Sequence, residues 1–213
     1  MTELELLGPL ALSPIMPVVK IERLEDAVPL AEALMAGGIH TIEVTLRSDC
    51  ALQAMETIAS RLPEMKVGAG TITHSDHIRQ CRNAGALFGL SPGATPALLD
   101  AASANNWPFI PGVATASEVM QALDCGFTQM KFFPAEACGG VKALKGLAGP
   151  FPQVKFCPTG GIGLNNVTAY LAQNNVVCVG GTWLTPENFV RDKNWGIITS
   201  LTSESMKLAA SLG

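Results

Sequence analysis

Charge is scarce in this chain. Only 15% of its 213 residues are Asp, Glu, Lys or Arg, against about 25% in an ordinary globular domain. Hydrophobic residues make up 48%, which points to much buried surface, subunit contacts included. The net charge of −4 comes with no basic stripe and no charge block. That excludes the electrostatic footprint of a nucleic-acid binder and of a protein docked on anionic lipid. Long apolar runs are missing as well, and nothing reaches the ~18 residues of a membrane span. Glu3 and Glu5 stand where a secretory leader needs positive charge, so no leader is expected. The six cysteines, at 50, 81, 125, 138, 157 and 178, contain no CxxC pair. They read as reduced, largely buried thiols of a cytoplasmic protein.

What the chain does have is alternation. Short Val-, Ile-, Phe- and Gly-rich segments near 14–20, 40–46, 66–71, 87–91, 108–111, 128–133, 153–158 and 176–180 read as strands. Between them lie helical stretches near 23–36, 49–61, 75–84, 96–105, 115–124, 140–147 and 164–173, with a last one at 194–211. Ser75, Thr95 and Thr115 suit helix starts, and Thr115 to Glu118 has capping-box spacing. The strand ends Glu43, Thr71, Ser91, Pro111, Lys131, Thr159 and Gly180 are 28, 20, 20, 20, 28 and 21 residues apart. A βα period of this kind, unbroken by a linker, predicts one α/β domain over residues 1–213: a closed (β/α)₈ TIM barrel. Glu3 to Leu7 would add a short helical extension. Active sites of such barrels sit at the C-terminal strand ends, where all seven of these positions fall.

The second strand carries an anomaly. In HTIEVTLR, Ile42, Val44 and Leu46 share one parity and can face outer helices, while Thr41, Glu43, Thr45 and Arg47 share the other and would face the axis. An inward Glu and Arg are costly unless paired or used, so the alternatives are a Glu43–Arg47 ion pair or a functional site. Lys131 raises the same question. It is flanked by Met130, Phe132 and Phe133, and burial of an amine favours its neutral, nucleophilic form. An amine whose apolar stem merely covers neighbouring side chains would look the same from this segment. Rim position decides for chemistry. Lys131, Glu43 and Arg47 converge there with the hydroxyls of Thr71 and Thr159. The pairs Gly160-Gly161 and Gly180-Gly181, the latter followed by Thr182, end the seventh and eighth strands, where this barrel class binds phosphate.

The segments EVTLR (43–47), VGAGT (67–71), SPG (91–93), KFFPAE (131–136), PTGGI (158–162) and GGTW (180–183) together resemble the bacterial 2-keto-3-deoxy-6-phosphogluconate (KDPG) aldolases, also active on 4-hydroxy-2-oxoglutarate (KHG). The resemblance runs in order over nearly the whole chain. It implies a class I, Schiff-base carbon–carbon lyase of carbohydrate metabolism, in the Entner–Doudoroff pathway, needing neither metal nor cofactor and assembled as a cytoplasmic homotrimer. Its partner would be a small keto-acid phosphate. Carried over residue by residue, Lys131 forms the imine and Glu43 is the acid/base. Arg47 and Thr71 hold the carboxylate end, with Thr159 beside them. Gly160, Gly161, Gly181 and Thr182 cradle phosphate, and Pro92 and Phe133 wall the pocket.

Three positions depart from that pattern: Thr182 for Ser, Cys138 for Asn, and Gly163 for a Ser or Thr helix cap. The sequence also leaves open the galactonate epimer as substrate, a phospho-sugar isomerase, and a non-catalytic metabolite-binding barrel. His74 and His77 form an HxxH that reads as two exposed helix histidines rather than a metal site. Glu136 reads as a loop-orienting carboxylate, and Cys157 as a core thiol.

Overall fold

The expected alternation is present throughout residues 8–211, the residues described in the computed structural model of the chain. The proposed turn at Glu3 to Leu7 lies outside them. A 3₁₀ turn, Pro9–Leu12, leads into β1 (Ile15–Val19). β2 (Thr41–Thr45), β3 (Lys66–Gly70), β4 (Phe88–Leu90) and β5 (Phe109–Ile110) follow. Then come β6 (Gly112–Val113), β7 (Gln129–Phe132), β8 (Lys155–Pro158) and β9 (Val179–Gly181). All paired strands are parallel. They form a six-stranded sheet, β5-β4-β3-β2-β1-β9, and a three-stranded sheet, β6-β7-β8.

Among the described residues nine strand segments stand where eight were expected, because the fifth is split at Pro111. Proline has no N–H for the ladder. Leu90 and Ile110 pair on one side of the break, and Gly112 and Lys131 on the other. The chain thus passes from one sheet into the other at Pro111. On the opposite flank a single bridge, Thr159 with Gly180, links the end of β8 to β9.

The helices are α1 (Ala27–Ala36), α2 (Ala51–Arg61), α3 (Ser75–Asn83), α4 (Pro96–Ala104) and α5 (Ala116–Asp124). After them come α6 (Gly140–Ala148), α7 (Val167–Leu171), α8 (Glu187–Arg191) and α9 (Trp195–Ala210). Several starts fall a few residues later than expected, at Ala27, Ala51 and Val167, while α3 begins at Ser75 as read. His74, not Ser75, caps α3, its Nδ1 accepting from the Asp76 N–H at 3.3 Å. α7 begins at Val167 rather than near 164, since Gly163 offers no cap of its own. Asn166 stands at the N-cap position but its side chain caps no helix N–H; it ties down the preceding loop, its Oδ1 accepting from Gly163 N–H at 2.9 Å and its Nδ2 donating to Gly161 O at 3.2 Å. α8 was not foreseen.

Apolar packing forms two large clusters where helices cover the sheets, and a third among the strands themselves. That third cluster takes Met16, Phe88, Leu90 and Ile110 from one sheet, Cys157 from the other, and Leu10 from the first 3₁₀ turn. None of the six cysteines is in a disulfide.

The capping box before α5 forms as its spacing predicts. Glu118 Oε2 accepts from the N–H groups of Ala114 and Thr115 at 2.8 Å and from Thr115 Oγ1 at 2.9 Å. Burial raises the Glu118 carboxyl, but these three bonds outweigh it and hold the group below its ordinary value. The stabilisation is therefore present above the unfolded carboxyl pKa and is lost as pH falls through the lowered folded one. Glu118→Ala should cost about 1 kcal/mol and lower Tm by roughly 2–4 °C at pH 7. The gap from the parent should close in strongly acidic scans; an equal gap at every pH would contradict this account.

Candidate active site

Glu43 sits in β2, where every residue is buried, and Lys131 in β7 of the other sheet. Their side chains meet across the space between the sheets. Lys131 Nζ lies 2.8 Å from Glu43 Oε1 and 3.1 Å from Oε2. Lys131 is only 4% exposed and Glu43 1%, so both charges are withdrawn from water. Desolvation of each ion costs several kcal/mol and is offset only by close, well-directed pairing. The Glu43–Arg47 pair that the sequence left open is therefore not the one that forms.

Arg47 lies beyond the strand. β2 stops at Thr45, and the Arg47 N–H turns back to Thr45 O at 2.8 Å, yet the side chain stays on the face of Glu43 and Thr45. Its Nε donates to Thr45 Oγ1 at 3.2 Å, and Thr45 Oγ1 donates to Val19 O at 2.9 Å. The residue is otherwise exposed.

Small residues make the room. A Cβ on Gly70 would lie 2.1 Å from Glu43 Oε1, so the carboxylate fits only beside glycine. A Cβ on Gly180 would lie 2.3 Å from Thr159 Oγ1, and one on Gly181 would enter the Trp183 ring. Gly112 admits the backbone of Pro92 in the same way. Thr71, following Gly70, is held at φ 62, a left-handed conformation rare for a β-branched residue. The Phe133 ring centroid is 5.6 Å from Lys131 Nζ, and the Phe133–Pro134 peptide is cis.

A cavity of about 220 Å³ is lined by Lys131, Glu43, Arg47, Thr71, Pro92 and Phe133 together with Thr159, Gly160, Gly161, Gly181 and Thr182. Every site residue expected from the sequence is thus brought together. Val18, Thr45 and Ile162 line it as well and were not expected. Thr45 could have been found, since it shares the inward parity of Glu43. A larger open space of about 680 Å³ adjoins the cavity through Val18, Arg47 and Thr182. It borders Lys20, Arg23 and Arg191 but lacks the buried amine–carboxylate pair.

At the distal end, Gly160 and Gly161 adopt φ 104 and 78, a turn that leaves backbone N–H groups free to meet an anion. Because α7 begins only at 167 and is five residues long, the glycine turn itself, not a helix end, offers the donors. His74 and His77 lie apart from this cavity. Among the described residues no group of three or more His, Cys, Asp or Glu side chains is placed to hold a metal. Nor is any helix there long and apolar enough to cross a membrane.

Comparison with known proteins agrees with this geometry. The profile of the family described as KDPG and KHG aldolase matches residues 8–201. The chain is 48% identical over 197 residues to the 2-dehydro-3-deoxy-phosphogluconate aldolase of Dickeya dadantii, covering 92% of each protein. It is 48% identical over 198 residues to the KHG/KDPG aldolase of Escherichia coli K12, covering 93% of each. Among solved structures, a KDPG aldolase from Legionella pneumophila superposes with a TM-score of 0.91 at 49% identity, covering 92% of this chain and 96% of the other. In that crystal pyruvate is captured at low pH as a covalent carbinolamine intermediate. With a matching profile and near-half identity over nine-tenths of its length, this chain belongs to the KDPG and KHG aldolase family.

Proposed function

We propose that this enzyme is a class I aldolase that cleaves 2-keto-3-deoxy-6-phosphogluconate to pyruvate and glyceraldehyde 3-phosphate, and 4-hydroxy-2-oxoglutarate to pyruvate and glyoxylate. The observation that carries the reading is the buried Lys131–Glu43 pair at 2.8 Å on the rim of a cavity that ends in a glycine turn.

The chemistry follows from placement. To attack the C2 ketone the amine must shed a proton, and Glu43 is within bonding distance of it. The resulting carbinolamine loses water, with Glu43 supplying the proton, and becomes a protonated imine. Glu43 then takes the C4 hydroxyl proton as the C3–C4 bond breaks. The bond electrons pass into the imine, giving an enamine, and the aldehyde leaves. Protonation at C3 and addition of water release pyruvate and restore the amine. Arg47 grips the substrate carboxylate, its planar fork fixing C2 against Lys131, while Thr71 and Thr159 offer hydroxyls beside it. Gly160, Gly161, Gly181 and Thr182 hold the phosphate through backbone N–H groups and one hydroxyl, and Pro92 and Phe133 close the walls.

The two sheets, on this reading, are arcs of one (β/α)₈ barrel forming a single domain over residues 1–213. The passage through Pro111, the Thr159–Gly180 bridge and an apolar cluster fed by both sheets support it. The resemblance adds a cytoplasmic homotrimer, for which light scattering should give three chains per particle; a monomer would remove that part of the proposal.

Borohydride added with pyruvate should fix one reduced adduct, on Lys131, readable by peptide mass; an adduct on another lysine would sink the assignment. Lys131→Ala should form no adduct and no product. It also strands a buried carboxylate, which costs about 3–5 kcal/mol, so its fold must be checked by circular dichroism. Glu43→Gln should keep a detectable adduct yet turn over ~10²–10⁴ times more slowly.

Gly70→Ala should act like an active-site substitution without touching a reacting group. Its methyl displaces Glu43 Oε1, so kcat should fall at least as far as a tenfold change while the circular dichroism spectrum holds. Unchanged turnover would show that the carboxylate needs no such room.

A further inference from the structure

A turn made of two glycines has the most conformational freedom to lose on ordering, and no side chains of its own to hold it. Gly160-Gly161 is such a turn, and it is braced from outside. Ala135 N–H donates to Thr159 O at 2.8 Å and Glu136 N–H to Gly160 O at 3.1 Å. The loop after Lys131 is thereby stitched to the turn. Asn166 Nδ2 holds Gly161 O from the other side.

The remaining brace is a side chain. Glu136 lays its methylenes against Gly161 so closely that a Cβ there would meet Glu136 Cγ at 2.6 Å and Cβ at 2.7 Å. Its carboxylate is turned aside and accepts a hydrogen bond from the Tyr170 hydroxyl. Tyr170 is fully buried and sits in α7, the helix that directly follows the turn. Burial, then the bond to Glu136 and its charge, push the Tyr170 phenol up, so it stays a donor.

A carboxylate this near a phosphate-binding turn would repel the ligand if it were free to swing toward it. Glu136 is itself solvent-exposed, so water alone would satisfy it and burial does not force the contact. Tyr170 needs a partner for its buried hydroxyl, but that need does not explain why the partner's stem presses on Gly161.

We infer that Glu136 and Tyr170 are a positioning pair that fixes the Gly160-Gly161 turn for the phosphate end of the substrate and keeps the Glu136 charge pointed away from it. This rests on the aldolase reading above, with Gly160-Gly161 as the phosphate turn. The pair acts on the phosphorylated substrate and not on the carbon–carbon chemistry.

Steady-state kinetics on 2-keto-3-deoxy-6-phosphogluconate and on 4-hydroxy-2-oxoglutarate, which carries no phosphate, separate the roles. Tyr170→Phe and Glu136→Ala should each raise KM for the phosphorylated substrate at least fivefold, with kcat within twofold. On the unphosphorylated substrate kcat/KM should stay within twofold. Glu136→Gln keeps the methylenes and an acceptor oxygen, so it should behave like the parent. Borohydride trapping of pyruvate should be undiminished in all three, which also reports an intact site. Equal losses on both substrates, loss of trapping, or no change in Tyr170→Phe would overturn the inference. A parent enzyme that forms pyruvate from neither substrate would instead remove the aldolase reading, and this one with it.

Discussion

Two opposite charges buried side by side govern the architecture of this protein. Lys131 and Glu43 come from different sheets, 88 positions apart in the chain, and burying either without the other would leave a polar group with no partner. The surroundings are shaped to that need. Met16, Phe88, Leu90 and Ile110 pack among the strands as an apolar cluster. Gly70 leaves the space that the Glu43 carboxylate occupies, and Thr45, Thr71 and Thr159 line the same cavity as the pair. An apolar plug and a threonine-lined cavity thus share the space between the sheets.

The same pair explains why rigidity and looseness are divided as they are. Lys131 and Glu43 lie inside strands and are held by the ladders on both sides. Of the glycines proposed to meet the phosphate, Gly160 and Gly161 lie outside the strands, tied by stitches from the neighbouring loop and helix, while Gly181 ends β9. On that reading the reacting atoms are placed by the sheets, and the distal anion by a loop together with one strand end. Chemistry and substrate preference then rest on largely different parts of the fold, which is how one scaffold can serve substrates of different length.

Much of this was legible in the sequence because a short parallel strand ending in glycine, threonine or proline recurs every twenty or so residues. The period placed the rim residues correctly even where helix boundaries were off by a few positions. Contacts without sequence proximity were not legible. Glu43 has an arginine four residues away, yet it pairs with Lys131, and no local rule favours the distant partner. Arg47 lies two residues beyond the end of β2, yet it lines the cavity with Glu43 and Thr45 as their shared parity suggests. The split at Pro111 was hidden inside an apolar run that reads as one strand, although proline's missing N–H is a sufficient cause. α8 was missed because PENFVR is too short and polar to show a period. Gly70 gave no signal of its own within VGAGT, and its use became apparent only with the carboxylate beside it.

Thr71 puts this division in evolutionary terms. A β-branched residue at φ 62 carries a backbone strain of order 1–3 kcal/mol, and glycine at the same place would relieve it. Selection for thermal stability alone would drive the position toward glycine, and the hydroxyl would be lost from the rim. On the proposed reading, the strain at Thr71 is stability given up for a hydroxyl on the cavity wall.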